Sequence, residues 1–499
     1  MYAKVLGETT RGLQGKLIVV ETDLARGLPG FEIVGLANAA VKEARERVRT
    51  AIRNSGMPFP RNRITVNLAP ASLRKQGSAL DLPMAVGILV SSGLLPQGKV
   101  QDKVFLGELS LEGEIRPVTG VLSMVMAARE QGLGEVYVPR KNAREAVLVE
   151  GIRVYAPASL KELLAHLRKP FLPEAEKDGE VAVRQASMDF ADVKGQAVAK
   201  RALEIAAAGG HHIWLEGTPG AGKTMLAKRL ATILPPMTRE EALEVTRIYS
   251  VEGTLTSGQL VGERPFRSPH HTTTVPSLVG GGIGPKPGEV TLAHNGVLFL
   301  DEFPEFGREC LEILRQPLED GQVVINRIHG SYVFPTAFLL CLASNPCPCG
   351  YYGDKERQCT CSAGALERYR NRMSGPLADR IDLQIRVEPV RYEELRGKED
   401  GETSAVIRAR VCAARKIQVE RFRREGIFCN GAMSPGQVER FCRLDGECAA
   451  LMERAFTSLQ LTARSYDRIR KVARTIADLE GSAGIGVTHL AEAVQLRTR

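Results

Sequence analysis

The chain has 499 residues, 43% hydrophobic and 25% charged, which is the balance of an ordinary globular protein of roughly two to four domains. No apolar run approaches the ~18 residues of a membrane span, and the Met1-Tyr2-Ala3-Lys4 start lacks a secretion-signal core. Ten cysteines read as reduced thiols in the cytoplasm, and a net charge of +9 favours an anionic polymer as partner.

Residues 1–168 alternate strand and helix signals. Strands are predicted at 16–22 and 63–68, an amphipathic helix at 38–54 and a buried apolar helix at 80–94. Residues 169–187, with Pro173, a charged cluster and few large apolar side chains, read as a linker. Next comes an apolar strand at 212–215, followed by Gly217-Thr218-Pro219-Gly220-Ala221-Gly222-Lys223-Thr224 and a helical pattern from 225 to 234. Strand, glycine loop and helix is the context in which G-x-x-x-x-G-K-[ST] cradles a triphosphate. Backbone N–H groups and the helix N-terminus face the phosphates, Lys223 sits on the β/γ oxygens and Thr224 ligates Mg²⁺. A second apolar strand, 297–300, ends in Asp301 and Glu302. These acids suit the Mg²⁺ shell and the orientation of the attacking water, respectively.

Farther on, the strand 338–343 ends in Ser344-Asn345, whose amide suits a contact to both γ-phosphate and water. Arg380, in the run Ser374 to Asp382, is placed either as an arginine finger for a neighbouring subunit or as a salt-bridged side chain. Arg464 opens the late helix 462–479 and suits a contact to the γ-phosphate from a lid. Residues 188–388 thus form the nucleotide module, and 389–499 read as helical. Within the nucleotide module, 246–290 is an expected insertion carrying Arg264, Arg267 and Lys286, and 323–332 is a hairpin candidate carrying Arg327. These cations suit either a phosphate backbone or the bracing of neighbouring subunits. His270 and His271 suit loop shaping or phosphate contact. Cys347, Cys349, Cys359 and Cys361 fall in the Cys-rich stretch 347–361, as either a tetrahedral zinc site or reduced structural thiols.

Several stretches together resemble the AAA+ ATPases of the magnesium-chelatase branch, and more closely the YifB/ComM family. They are Asp192-Val193-Lys194-Gly195-Gln196, the glycine loop, Phe266-Arg267-Ser268-Pro269-His270-His271, the run Gly288 to His294, Leu298 to Glu302, Ser344 to Gly350, and Ser374 to Asp382. The resemblance implies an α/β fold: a P-loop AAA+ core with a helical lid, working as a homo-hexamer on ATP and Mg²⁺. It places Gln196 near the adenine. It also implies a DNA helicase driving branch migration when incoming DNA recombines in natural transformation. A chelatase-type remodeller and an ATP-dependent protease are the competing functions.

The run Arg74-Lys75-Gln76-Gly77-Ser78-Ala79-Leu80-Asp81-Leu82-Pro83, with Leu106-Gly107-Glu108-Leu109, resembles the proteolytic domain of Lon-type proteases. This implies a ribosomal S5-like α/β fold for residues 1–168. Lon-type enzymes use a Ser-Lys dyad; the likeness puts Asp81 at the serine position and Met124 at the lysine position, which implies an inactive domain.

Overall fold

The computed structural model describes residues 1–35, 39–73, 75, 77–176, 188–255, 258–282, 284–327, 330–354, 356–373, 377–390 and 401–497. Calls on Asn38, Arg74, Gln76, residues 177–187, Ile328, His329, residues 374–376 and residues 391–400 lie outside them.

The N-terminal module starts with an antiparallel pair, β1 (Tyr2–Arg11) and β2 (Gln14–Ala25), in which Val5 faces Val20 and Gly7 faces Ile18. Further strands are β3 (Gly30–Val34), β4 (Arg63–Ala69), β5 (Lys103–Phe105), β6 (Glu135–Tyr137) and β7 (Arg153–Tyr155). They form a seven-stranded sheet in the order β3-β4-β2-β1-β5-β6-β7. Helices α1 (Ala39–Asn54), α2 (Asp81–Ser91) and α4 (Leu160–Arg168) share one apolar core, while α3 (Val121–Glu130) belongs to a second. Gly7 lets α2 lie against β1, since a Cβ there would stand 2.7 Å from Pro83 Cγ. The expected strands and helices are therefore present, with ends shifted by a few residues.

The nucleotide module contains α5 (Ala197–Gly209), β8 (Ile213–Gly217), α6 (Lys223–Ile233), α7 (Arg239–Glu252), β9 (Phe266–Arg267), β10 (Val297–Leu300), α8 (Arg315–Asp320), β11 (Gln322–Arg327), β12 (Gly330–Pro335), β13 (Leu339–Ser344), α9 (Ala363–Met373) and β14 (Leu383–Val387). Its five-stranded parallel sheet runs β9-β10-β13-β8-β14. Buried on both faces, β10 and β13 read as continuous apolar runs, which made them legible in the sequence, whereas β9 and β14 carry polar residues and were not read from it. Beyond residue 400 the elements are helical: α10 (Ser404–Arg421), α11 (Pro435–Phe441), α12 (Gly446–Ser458), α13 (Ala463–Leu479) and α14 (Val487–Gln495). Their apolar faces share one core with α5 and β8.

Helix α7 fastens the two modules together. Ser250 accepts from Gly120 N–H at 2.9 Å and donates from its hydroxyl to Glu145 at 2.6 Å. Arg247 donates to the Leu13 carbonyl at 2.7 Å, and Arg239 pairs with Glu150 at 2.8 Å. Part of the expected 246–290 insertion is thus used in docking.

In the N-terminal module Asp81 is 1% exposed and accepts a two-pronged bond from Arg47 at 2.8 and 3.1 Å. Breaking a buried pair from one side strands the other charge. Arg47→Ala is therefore expected to destabilise the module by about 3–5 kcal/mol in denaturant titration, against no comparable change for Arg45→Ala at an exposed pair.

Candidate active site

The nucleotide loop is built by its neighbours. A Cβ on Gly217 would stand 2.4 Å from the Val387 carbonyl oxygen, so glycine is needed where β8 passes β14. Gly220 and Gly222 have φ of +82° and +88°, which turn successive N–H groups to one side before α6 begins. Lys223 Nζ donates to the carbonyls of Gly217 at 2.6 Å and Thr218 at 3.0 Å, and to Asn345 Oδ1 at 3.0 Å. Burial lowers the Lys223 ammonium from its ordinary value, while Asp301, Glu302 and Glu216 pull it back. The Thr224 hydroxyl donates to Asp301 Oδ2 at 2.7 Å, and Asp301 Oδ1 accepts from Glu302 N–H at 3.0 Å. Gln196 donates from Nε2 to the carbonyls of Ala221 at 3.3 Å and Glu388 at 2.5 Å, at the entrance of the loop.

These residues fit a Mg²⁺-bound triphosphate. A cation, a hydroxyl–carboxylate pair and an N–H nest converge at the C-terminal edge of a parallel sheet, and the buried Thr218 hydroxyl has no partner among the described residues. Glu302 leaves β10 with φ +48° and a side chain 56% exposed, free to turn toward a substrate. His271 Nδ1 lies 4.0 Å from its carboxylate, a proximity that the sequence spacing did not show.

The two arginines lie apart from this cluster. Arg380 is 13% exposed and pairs with Glu319 of α8. Arg464 is exposed in the first turn of α13, whose N-cap Thr462 accepts from Ser465 N–H at 3.2 Å. Sequence reasoning also missed the buried Asp382. Against the desolvation of its burial, a bond from His211 and the charge of Arg468 hold its carboxyl well below the usual carboxylate range.

The four clustered cysteines converge, all Sγ atoms lying within 4.8 Å of one another. Cys347 Sγ is 3.3 Å from Cys349 and 3.7 Å from Cys359, and Cys349 is 3.6 Å from Cys359. Around a tetrahedral ion with bonds of about 2.3 Å, sulfurs stand about 3.8 Å apart, so the set fits zinc. Backbone N–H bonds from Tyr351 and Thr360 lower the Cys349 thiol to about 5, whereas burial pushes Cys347 up to about 12. Gly350 packs against Pro219 of the nucleotide loop, where a Cβ would stand 2.6 Å from Pro219 Cδ.

Two of the four cations expected to reach nucleic acid are used internally. Arg264 is half-buried, donating to the Asn295 carbonyl at 2.7 Å and to Glu241 at 2.9 Å, so its guanidinium is engaged within the chain. Arg267 gives its guanidinium fork to Glu289 at 2.7 and 2.8 Å. Lys286 and Arg327 are exposed. The expected hairpin forms as β11 and β12, and Arg327 Nε reaches the Gly282 carbonyl at 3.4 Å beside the short Lys286 strand.

At the Lon-like positions, Asp81 is tied to Arg47 and Met124 is buried within α3. Lys75 is also buried, its ammonium donating to the carbonyls of Gly35 and Pro70.

Sequence-family profiles match three stretches of the chain. That for magnesium chelatase, subunit ChlI, matches residues 189–395, and its C-terminal counterpart matches 401–497. A further profile, subunit ChlI of Mg-chelatase, matches 20–142. The competence protein ComM of Haemophilus influenzae is 43% identical over 501 aligned residues, covering 99% of this chain and 97% of that protein. The uncharacterised protein YifB of Escherichia coli K12 is 41% identical, covering 97% and 95%. The Lon protease 2 of Bacillus subtilis is 29% identical over 143 residues, 27% of this chain and 25% of that protein. With the phosphate-loop geometry intact and the likeness running end to end, the chain belongs to the YifB/ComM family of magnesium-chelatase-like AAA+ ATPases.

Proposed function

We propose that this protein is an ATP-driven motor on DNA that works in the cytoplasm as a homo-hexameric ring, promoting branch migration when incoming DNA recombines during natural transformation. The observation that carries the ATPase step is the convergence of Lys223, Thr224, Asp301 and Asn345 on one strand edge, with Glu302 beside them. Lys223 leaves its loop carbonyls to hold the β/γ oxygens, and Asn345 moves with it toward the γ-phosphate. Glu302 orients the attacking water and takes its proton. Mg²⁺, when bound through Thr224 and Asp301, neutralises charge on the phosphate oxygens. Arg464 reaches the same nucleotide from the lid, Gln196 lies beside the base, and Arg380 exchanges Glu319 for the neighbouring subunit's γ-phosphate.

The DNA step is supported by the name of the Haemophilus relative, a competence protein, and by exposed Lys286 and Arg327 on adjacent hairpins. A second reading, ATP-driven remodelling of a protein partner as in a magnesium chelatase, is favoured by the three chelatase-subunit profiles. The N-terminal module serves assembly or DNA contact rather than peptide cleavage, because a carboxylate bound to Arg47 is no hydroxyl nucleophile. Zinc held by Cys347, Cys349, Cys359 and Cys361 staples the loop behind Asn345.

Turnover of purified protein is expected to rise with single-stranded or forked DNA. Glu302→Gln should lower kcat by about 10²–10⁴-fold with nucleotide binding kept, while Lys223→Ala should lose binding. DNA that neither binds nor stimulates would leave the ATPase and remove the motor. Lys286→Ala and Arg327→Ala should each reduce the salt slope of DNA affinity by about one, whereas Arg267→Ala should leave it unchanged. Elemental analysis should find about one zinc per chain, lost in Cys349→Ser together with Cys361→Ser; metal-free fresh protein would reduce the cluster to structural thiols.

A further inference from the structure

The segment that carries Arg380 is gripped from the lid. Arg468 in α13 donates from Nη1 to the Arg380 carbonyl and to Asp382 Oδ1, both at 2.5 Å. Arg497, just past α14, donates to the Ile381 carbonyl at 2.5 Å and to Ser465 Oγ at 3.1 Å. Asp382 takes a further bond from His211 Nδ1 at 3.1 Å, and His211 Nε2 lies 2.8 Å from the hydroxyl of Thr475, again in α13. Arg380 and Asp382 are therefore bound to α13 through charge-assisted bonds from Arg468, Ile381 is held by Arg497, which also bonds Ser465 of α13, and Asp382 is only 6% exposed.

That helix opens with Arg464, four residues before Arg468 and on the same face. A rigid rod thus joins the arginine aimed at a subunit's own nucleotide to the backbone that presents Arg380. We propose that Arg468 is a positioning residue for the arginine offered to the neighbouring subunit, so that the lid state of one subunit sets turnover in the next. This rests on the reading of Arg380 as an arginine finger. The helix moves as a unit, and the carbonyl of residue 380 moves with it. A displacement of about 1 Å at a transition-state contact is enough to cost ~10²-fold in rate.

Mixed assemblies test this. Arg468→Ala protein alone should lose about tenfold or more in kcat, with KM for ATP changed by less than about twofold. Glu302→Gln subunits keep nucleotide binding, turn ATP over about 10²–10⁴-fold more slowly and present an intact 380–382 segment. Mixing the two should restore turnover per Arg468→Ala subunit, because a neighbour then supplies a held finger. A mixture as slow as Arg468→Ala alone overturns the inference, as does full turnover by the unmixed variant. Arg380→Ala mixed in the same way separates the two claims. Its failure to be rescued removes the finger reading itself. Its rescue without rescue of Arg468→Ala removes only the positioning role. Arg468→Lys, which keeps a charge beside Asp382 but cannot span both acceptors, is read identically if the alanine variant does not assemble.

Discussion

The register of the parallel sheet is the constraint from which the site follows. Glu216 lies opposite Ser344, and Leu300 opposite Leu342, so β8, β13 and β10 end nearly level. Their next residues, the glycine loop, Asn345 and Asp301-Glu302, then meet at one edge without any bend in the chain. A slip of one residue in β13 would turn Asn345 away from Lys223 and direct its side chain to the opposite face. The site's geometry thus comes from apolar strands that contain none of its chemistry.

Several arginines are engaged within the chain rather than offered to solvent. Arg264, Arg267, Arg421, Arg470 and Arg474 are all bound to carboxylates or backbone carbonyls within the chain. Net charge alone therefore does not say which cations face solvent; Lys286 and Arg327 are among those that do. Charge also joins the modules, where Arg247 bonds the Leu13 carbonyl between β1 and β2 and Arg239 pairs with Glu150. The domain on the other side of that contact holds a buried ion pair and a thioether at its Lon-like positions.

The cysteine cluster adds a constraint close to the chemistry. It begins two residues after Asn345, and its Gly350 touches Pro219 of the nucleotide loop. Tyr369 in α9 donates to the Asn345 carbonyl at 3.1 Å from the other side of this stretch. Asn345 is thereby held through its backbone as well as through its side-chain bond from Lys223.

By itself the sequence determined the phosphate loop, the acidic strand end, the hairpin and the helical late region, because each rests on local chemistry: glycine conformations, apolar runs and helical periodicity. The four cysteines were legible as a group for the same reason of proximity along the chain. Only the tertiary structure decided which cations are free, since Arg264 meets Asn295 and Arg267 meets Glu289 across 22 or more residues. It alone joined Lys223 to Asn345 across 122 residues and Arg468 to the Arg380 carbonyl across 88. Such pairings depend on sheet order and helix docking, whose energy comes from burying apolar surface far from the polar groups that benefit.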